Sequence, residues 1–149
     1  MPRAKGTIDI ASPANRVWNW IMEPEKYLVW NTDFKEYKTI DDKTEKVGTT
    51  YYMVGKKGGR LMKLDCFVTE WVENKRFAFR ATSKEVKAEG SYTIEPTEEG
   101  CRVTFEENLE LKGIISKIIG ALFVKKAKTK NIEESLQNLK EAIETNLSA

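Results

Sequence analysis

The chain has 149 residues, 40% of them hydrophobic and 32% charged, with a formal net charge of +2. That length supports one domain, residues 1–149, with a real core and is short for two. The near balance of charge leaves no electrostatic footprint for nucleic acid. No apolar run approaches the roughly 20 residues that span a bilayer. Met1-Pro2-Arg3-Ala4-Lys5-Gly6 holds no apolar signal core, so the expected location is the cytoplasm.

Histidine is absent, which removes triads built on Ser-His or Cys-His and the usual base near neutral pH. Cys66 and Cys101 stand apart in alternating strand contexts and read as small buried hydrophobes in a reducing compartment. Two cysteines without histidine are too few for zinc, so no metal is expected, and no cofactor.

In chain order, Thr7-Ile8-Asp9-Ile10 alternates polar and apolar and predicts a half-buried first strand. Ser12-Pro13 predicts a helix start, with serine as N-cap and proline at the first helical position. That helix carries Val17, Trp18, Trp20 and Ile21, and Pro24 breaks it before a second short helix at Glu25–Trp30. Strands follow near Phe34–Ile40, Thr49–Val54, Leu61–Trp71, Arg76–Thr82, Ala88–Ile94 and Arg102–Leu111. Short breaks rich in Gly, Asn and Asp join them, which predicts hairpins and an antiparallel sheet. Gly55-Lys56-Lys57-Gly58-Gly59-Arg60 lacks the spacing of a phosphate-binding loop and reads as a hairpin able to cover a cavity mouth.

From Gly113 to Asn146 apolar residues recur at offsets of three and four: Ile115, Ile118, Ile119, Leu122, Phe123, Ile132, Leu136, Leu139 and Ile143. This predicts a C-terminal helix of roughly 45 Å with one apolar side. Gly120 costs helix stability and points to close packing or a bend. Lys125-Lys126-Ala127-Lys128-Thr129-Lys130 reads as the solvated face, with Glu133, Glu134, Glu141 and Glu144 as partners along the same helix. The sharper alternative makes these lysines, beside Ile114, Ile115 or Phe123, a transient contact with anionic membrane.

Period-two alternation selects the side chains that face this helix: Tyr51 and Met53; Leu64, Cys66 and Val68; Phe77, Phe79 and Ala81; Tyr92 and Ile94; Val103, Phe105 and Leu109. Glu107 falls in the same register and points a carboxylate inward, where it needs a partner.

The order of strand, two short helices, six strands and long helix resembles the helix-grip fold of the START-like (SRPBCC) superfamily. Ile8-x-Ile10-Ala11-Ser12-Pro13-Ala14-x-x-Val17-Trp18-x-x-Ile21 is similar to the family's opening strand and helix. Pro24-Glu25-Lys26-Tyr27 with Trp30 is similar to its second helix. Gly48 before Tyr51, Val68-x-Glu70, and Gly90-x-Tyr92-x-Ile94-x-Pro96-x-x-x-Gly100-x-x-Val103 are similar to successive strands. The nearest subgroup is the polyketide cyclase/dehydrase-like proteins, over essentially the whole chain. The resemblance implies an α+β fold, a curved antiparallel sheet of about seven strands around the C-terminal helix. It also implies an enclosed cavity for an apolar or amphipathic small molecule such as a lipid, quinone or polyketide.

The expected cavity residues are Tyr51, Met53, Leu64, Cys66, Val68, Phe77, Phe79, Ala81, Tyr92, Ile94, Phe105, Ile119, Leu122 and Phe123. The same aromatics serve equally as core filling. Tyr92 and Glu107 are the inward polar candidates, able to orient a ligand or act as acid and base; the plainer alternatives are a structural hydrogen bond, or Glu107 turned out by a bulge near the strand end. Three functions follow: a non-enzymatic binder of a hydrophobic small molecule; a cyclase or dehydratase using Tyr92 and Glu107; or a co-chaperone-like interaction module with a collapsed interior. A monomer or weak dimer suffices for each.

Overall fold

The structure is a computed structural model, and it describes residues 3–57, 59–112 and 120–145. β1 (Arg3–Ile10) leads into α1 (Ala14–Met22) and α2 (Pro24–Trp30). β2 (Phe34–Asp41), β3 (Thr50–Lys57), β4 (Arg60–Val72), β5 (Arg76–Thr82), β6 (Val86–Pro96) and β7 (Cys101–Leu111) follow, and α3 (Ala121–Thr145) closes the chain. The strands form one antiparallel seven-stranded sheet in the order β1-β7-β6-β5-β4-β3-β2. Each hairpin pairs neighbours in sequence, while β1 crosses back to pair with β7, from Arg3 opposite Asn108 to Ile10 opposite Cys101. Register shifts between Phe34 and Glu36, Thr39 and Asp41, and Val68 and Glu70 mark bulges. Bulges bend the strands that carry them, and here they help curl the sheet around α3.

α1 and α2 close one end of the interior. α1 buries Val17, Trp18, Trp20 and Ile21, and Trp18 meets Trp71 edge-on at 5.1 Å between ring centroids. Trp30 of α2 donates its indole N–H to the Trp20 carbonyl at 2.8 Å, tying the two helices together. Pro24 occupies the first turn of α2, where its missing N–H costs nothing. The start of α1 departs from expectation. Pro13, not Ser12, is the N-cap: its carbonyl accepts from the N–H groups of Arg16 and Val17, both at 3.1 Å. Ser12 is held one step earlier, its N–H donating to the Ile10 carbonyl at 2.9 Å, so it belongs to the link from β1.

α3 is 25 residues long, about 37 Å at 1.5 Å per residue. Val124, Ile132, Leu136, Leu139 and Ile143 are buried on its sheet-facing side. Polar tethers fix its seat. Lys140 Nζ donates to the Asp9 carbonyl at 2.7 Å, Asn138 Nδ2 to the Trp30 carbonyl at 3.3 Å, and Asn131 Nδ2 to Asp33 Oδ2 at 2.6 Å. The N-terminal portion of the helix expected from Gly113 to Ile119 lies outside the described residues. A Cβ at Gly120 meets no atom of the described residues within 4 Å, and its carbonyl accepts from Val124 N–H as the helix begins. The lysine run also divides. Lys125, Lys126 and Lys130 are exposed, whereas Lys128 turns inward. Phe123, expected on the apolar side, stands 66% exposed.

Candidate functional site

The inward positions of β3 to β7 are buried as their alternation predicts: Tyr51, Met53, Leu64, Cys66, Val68, Phe77, Phe79, Ala81, Tyr92, Ile94, Val103, Phe105 and Glu107. They do not all serve the same end of the interior. Trp71 meets Phe77 at 6.0 Å, and Phe77 stacks on Phe79 at 5.7 Å, extending an aromatic row away from the α1 end. Phe79 then stacks on Phe105 at 6.3 Å, and Phe105 meets Tyr92 at 4.5 Å. Beyond this row the sheet and α3 diverge. A cavity of about 600 Å³ opens there, with walls from α2, β2 to β7 and α3. Its size falls within the roughly 300–1,000 Å³ of small-molecule sites.

Of the expected cavity residues, Met53, Leu64, Phe79, Ala81, Tyr92 and Phe105 line this volume, and Phe123 borders it from its exposed position. Tyr51, Cys66, Val68, Phe77 and Ile94 are buried without reaching it. Ile119 and the side chain of Leu122 lie outside the described residues. The wall also includes residues that strand alternation does not select: Tyr27, Trp30 and Asn31 from α2 and its end, and Lys128, Ile132 and Leu136 from α3. For Lys128 a signal was present. Val124, Lys128, Ile132 and Leu136 follow one another at intervals of four, the spacing of a single helix face.

Gly90 shapes the floor. A Cβ at this position would lie 2.6 Å from Phe79 Cζ, so only glycine lets the Phe79 ring lie across β6. Gly90 is paired with Glu107 on β7, whose side chain is 9% exposed and aimed into the cavity. Lys128 reaches down from α3 and places its ammonium 2.9 Å from Glu107 Oε1. The approach is an ion pair off the hydrogen-bonding direction: Oε1 accepts no aligned hydrogen bond among the described residues.

A second polar group sits by α2. Asn31 Nδ2 donates to the Tyr27 hydroxyl at 2.7 Å, and the Tyr27 and Tyr92 hydroxyls are hydrogen-bonded to each other. Burial pushes the Tyr27 and Tyr92 hydroxyls far above the ordinary tyrosine range, and for Tyr92 the Glu107 charge adds to it. Both hydroxyls therefore keep their protons at neutral pH. Asn31 Oδ1 is buried without a hydrogen-bond partner among the described residues. Tyr51 and Cys66 form a separate pair behind the wall. Tyr51 donates to the sulfur, the thiol donates to the Leu64 carbonyl at 3.7 Å, and burial pushes the thiol up to about 12.

The β3–β4 hairpin contributes Gly55 and Lys56 to the wall, and its Arg60 is ion-paired to Glu85, which also lines the cavity. A second depression of about 440 Å³ crosses the outer face of the sheet. It is open and charged, and its Arg3 and Arg76 are engaged by Glu106 and Glu70. Among the described residues no three His, Cys, Asp or Glu side chains gather as metal ligands, and no helix is long and apolar enough to cross a membrane.

Solved structures share this architecture. TTHA0849 from Thermus thermophilus superposes with a TM-score of 0.82 at 21% identity, covering 99% of this chain and 100% of its own. A START superfamily protein from Mycobacterium smegmatis gives 0.83 at 16% identity, with 95% and 97% covered. The di-domain ARO/CYC StfQ of the steffimycin biosynthetic pathway gives 0.78 at 12% identity, covering 96% of this chain and 51% of the longer one. At such identities the likeness shows the fold. No functionally curated protein is significantly similar in sequence. The family model described as "Polyketide cyclase / dehydrase and lipid transport" matches residues 1–144, nearly the full length, and the chain belongs to that family.

Proposed function

We propose that this protein is a binder of a hydrophobic or amphipathic small molecule, held between the sheet and α3, and not an enzyme. The observation that carries the reading is the cavity of about 600 Å³ walled by Met53, Leu64, Phe79, Ala81, Phe105, Ile132 and Leu136. A well-packed core leaves few voids larger than a water molecule. Burial of an apolar ligand there would supply affinity at about 25 cal/mol per Å² of apolar surface. Cys66 and Cys101 as free, buried thiols accord with a reducing compartment such as the cytoplasm.

The cyclase or dehydratase reading has one observation in its favour: Tyr92 and Glu107 both border the cavity. Against it, burial raises the Tyr92 pKa far from neutral, which makes it a weak acid and leaves it protonated and so no base, and Glu107 is engaged by Lys128.

The test is uptake of the uncharged fluorophore N-phenylnaphthylamine, alongside native mass spectrometry of freshly purified protein. The wild-type chain binds the fluorophore or carries a displaceable species of a few hundred daltons. Ala81→Phe, which fills the cavity from β5, weakens uptake about tenfold or more while the protein stays folded. No uptake by the wild-type chain, or equal uptake by Ala81→Phe, would overturn the reading.

A further inference from the structure

Resting on that reading, the polar groups of the cavity go further and define the charge of the ligand it accepts. Lys128 offers a cation to the cavity, which taken alone would recruit a carboxylate. It does not stand alone. Glu107 lies 2.9 Å away and is the more deeply buried of the two, so the pair presents no net charge to a ligand. An anionic head group drawn to Lys128 would be brought against Glu107, and like charges held together in a dry site are strongly unfavourable.

The unfilled hydrogen-bonding capacity points the same way. Glu107 Oε1 and Asn31 Oδ1 are buried acceptors without an aligned donor among the described residues. Both residues border the same volume. A hydroxyl can donate to such an acceptor, and a carboxylate, which only accepts, cannot. Leaving buried acceptors unpaired is costly, so a ligand that supplies the donor gains what the empty site lacks.

We propose that the cavity selects uncharged, hydroxyl-bearing apolar molecules over the corresponding carboxylates, and that Glu107 is the residue that sets this selectivity.

The experiment compares β-naphthol with β-naphthoate, which share a ring system and differ in the head group, by calorimetric titration at neutral pH. The wild-type chain binds the naphthol about tenfold or more tightly than the naphthoate, the size expected when a buried charge is met by its like. Glu107→Gln keeps the shape, removes the negative charge and leaves Lys128 unopposed, so the preference collapses or inverts. Lys128→Met, at a partly exposed helix position, is the companion variant: naphthoate gains nothing from it. A wild-type preference for naphthoate, equal binding of both, an unchanged ratio in Glu107→Gln, or a naphthoate gain in Lys128→Met would each overturn the assignment while leaving a binding cavity. Failure of the wild-type chain to bind either compound, or N-phenylnaphthylamine, overturns the binding function as well. If Glu107→Gln does not fold, the wild-type ratio and the Lys128→Met arm still decide.

Discussion

The long helix seats directly on Gly6 of β1. A Cβ built on it lies 2.6 Å from Ile132 Cγ2 and 3.2 Å from Leu136 Cδ1, both well inside contact distance. Ile132 is β-branched and helical, so its χ1 has one strongly preferred setting and its methyl cannot swing aside cheaply. In Gly6→Ala, then, either α3 lifts away from β1 or Ile132 leaves its rotamer. Overpacking of this kind costs about 1–3 kcal/mol, which for a chain of this size is a fall of about 2–12 °C in Tm. Ile132 and Leu136 also border the cavity, so the same displacement disturbs the site, and N-phenylnaphthylamine affinity falls with Tm. Thermal unfolding followed by circular dichroism measures the first effect and fluorescence titration the second. Gly120→Ala is the comparison: its Cβ meets no atom of the described residues within 4 Å, so there is no overpacking, and the change costs only the weaker N-cap, about 0.5–1 kcal/mol. If Gly6→Ala melts with the wild-type chain, α3 does not seat on β1 as described, and the cavity dimensions derived from that seat are wrong.

Trp30→Phe removes the indole donor to the Trp20 carbonyl and leaves that acceptor unpaired, at about 1–3 kcal/mol before the lost ring volume is added. The urea midpoint falls with the slope unchanged; an undisturbed midpoint would show that α1 and α2 are not tied there. Stability against pH has two shoulders and a flat middle. Hydrogen bonds from Ala11 N–H and Lys140 hold Glu144 below the usual carboxylate range, and Arg3 does the same for Glu106. Groups held low stabilise the fold above their unfolded pKa and lose that contribution as pH falls, so Tm declines below about pH 4.5. Tyr27, Tyr51 and Tyr92 are pushed the other way by burial, so their contribution is complete below the unfolded tyrosine pKa and drains away above about pH 10. No histidine titrates between these limits. A Tm step near pH 6 to 7 would contradict this account (histidine's ordinary range is about 6.5).

How much of the site could be read in advance depends on which element carries the residue. On the strands, a period of two selects the inward face but not its reach: Met53, Leu64, Phe79, Ala81, Tyr92, Phe105 and Glu107 border the cavity, whereas Tyr51, Cys66, Val68, Phe77 and Ile94 are buried short of it. On α3 the composition of a lysine run masked its geometry. Lys128 sits four residues after Val124 and four before Ile132, and that spacing outweighs the company of Lys125, Lys126 and Lys130. Ser12 was misplaced for a related reason: an N-cap residue type carries the signal, but the Pro13 carbonyl receives the first helical bonds.

Alternation, turn chemistry and helical spacing are local properties, and from them alone the chain specifies its antiparallel strands, its three described helices and the face each turns inward. Whether two inward faces meet or stand apart is not local. Phe77 and Phe79 are two residues apart on one strand, yet Phe77 packs against Trp71 while Phe79 borders an open volume. That difference is decided by how far bulged strands curl and where Gly6 lets α3 come to rest, distances set between segments more than a hundred residues apart in sequence. The tertiary structure alone brings Glu107 and Lys128 together, and with them the charge balance of the cavity.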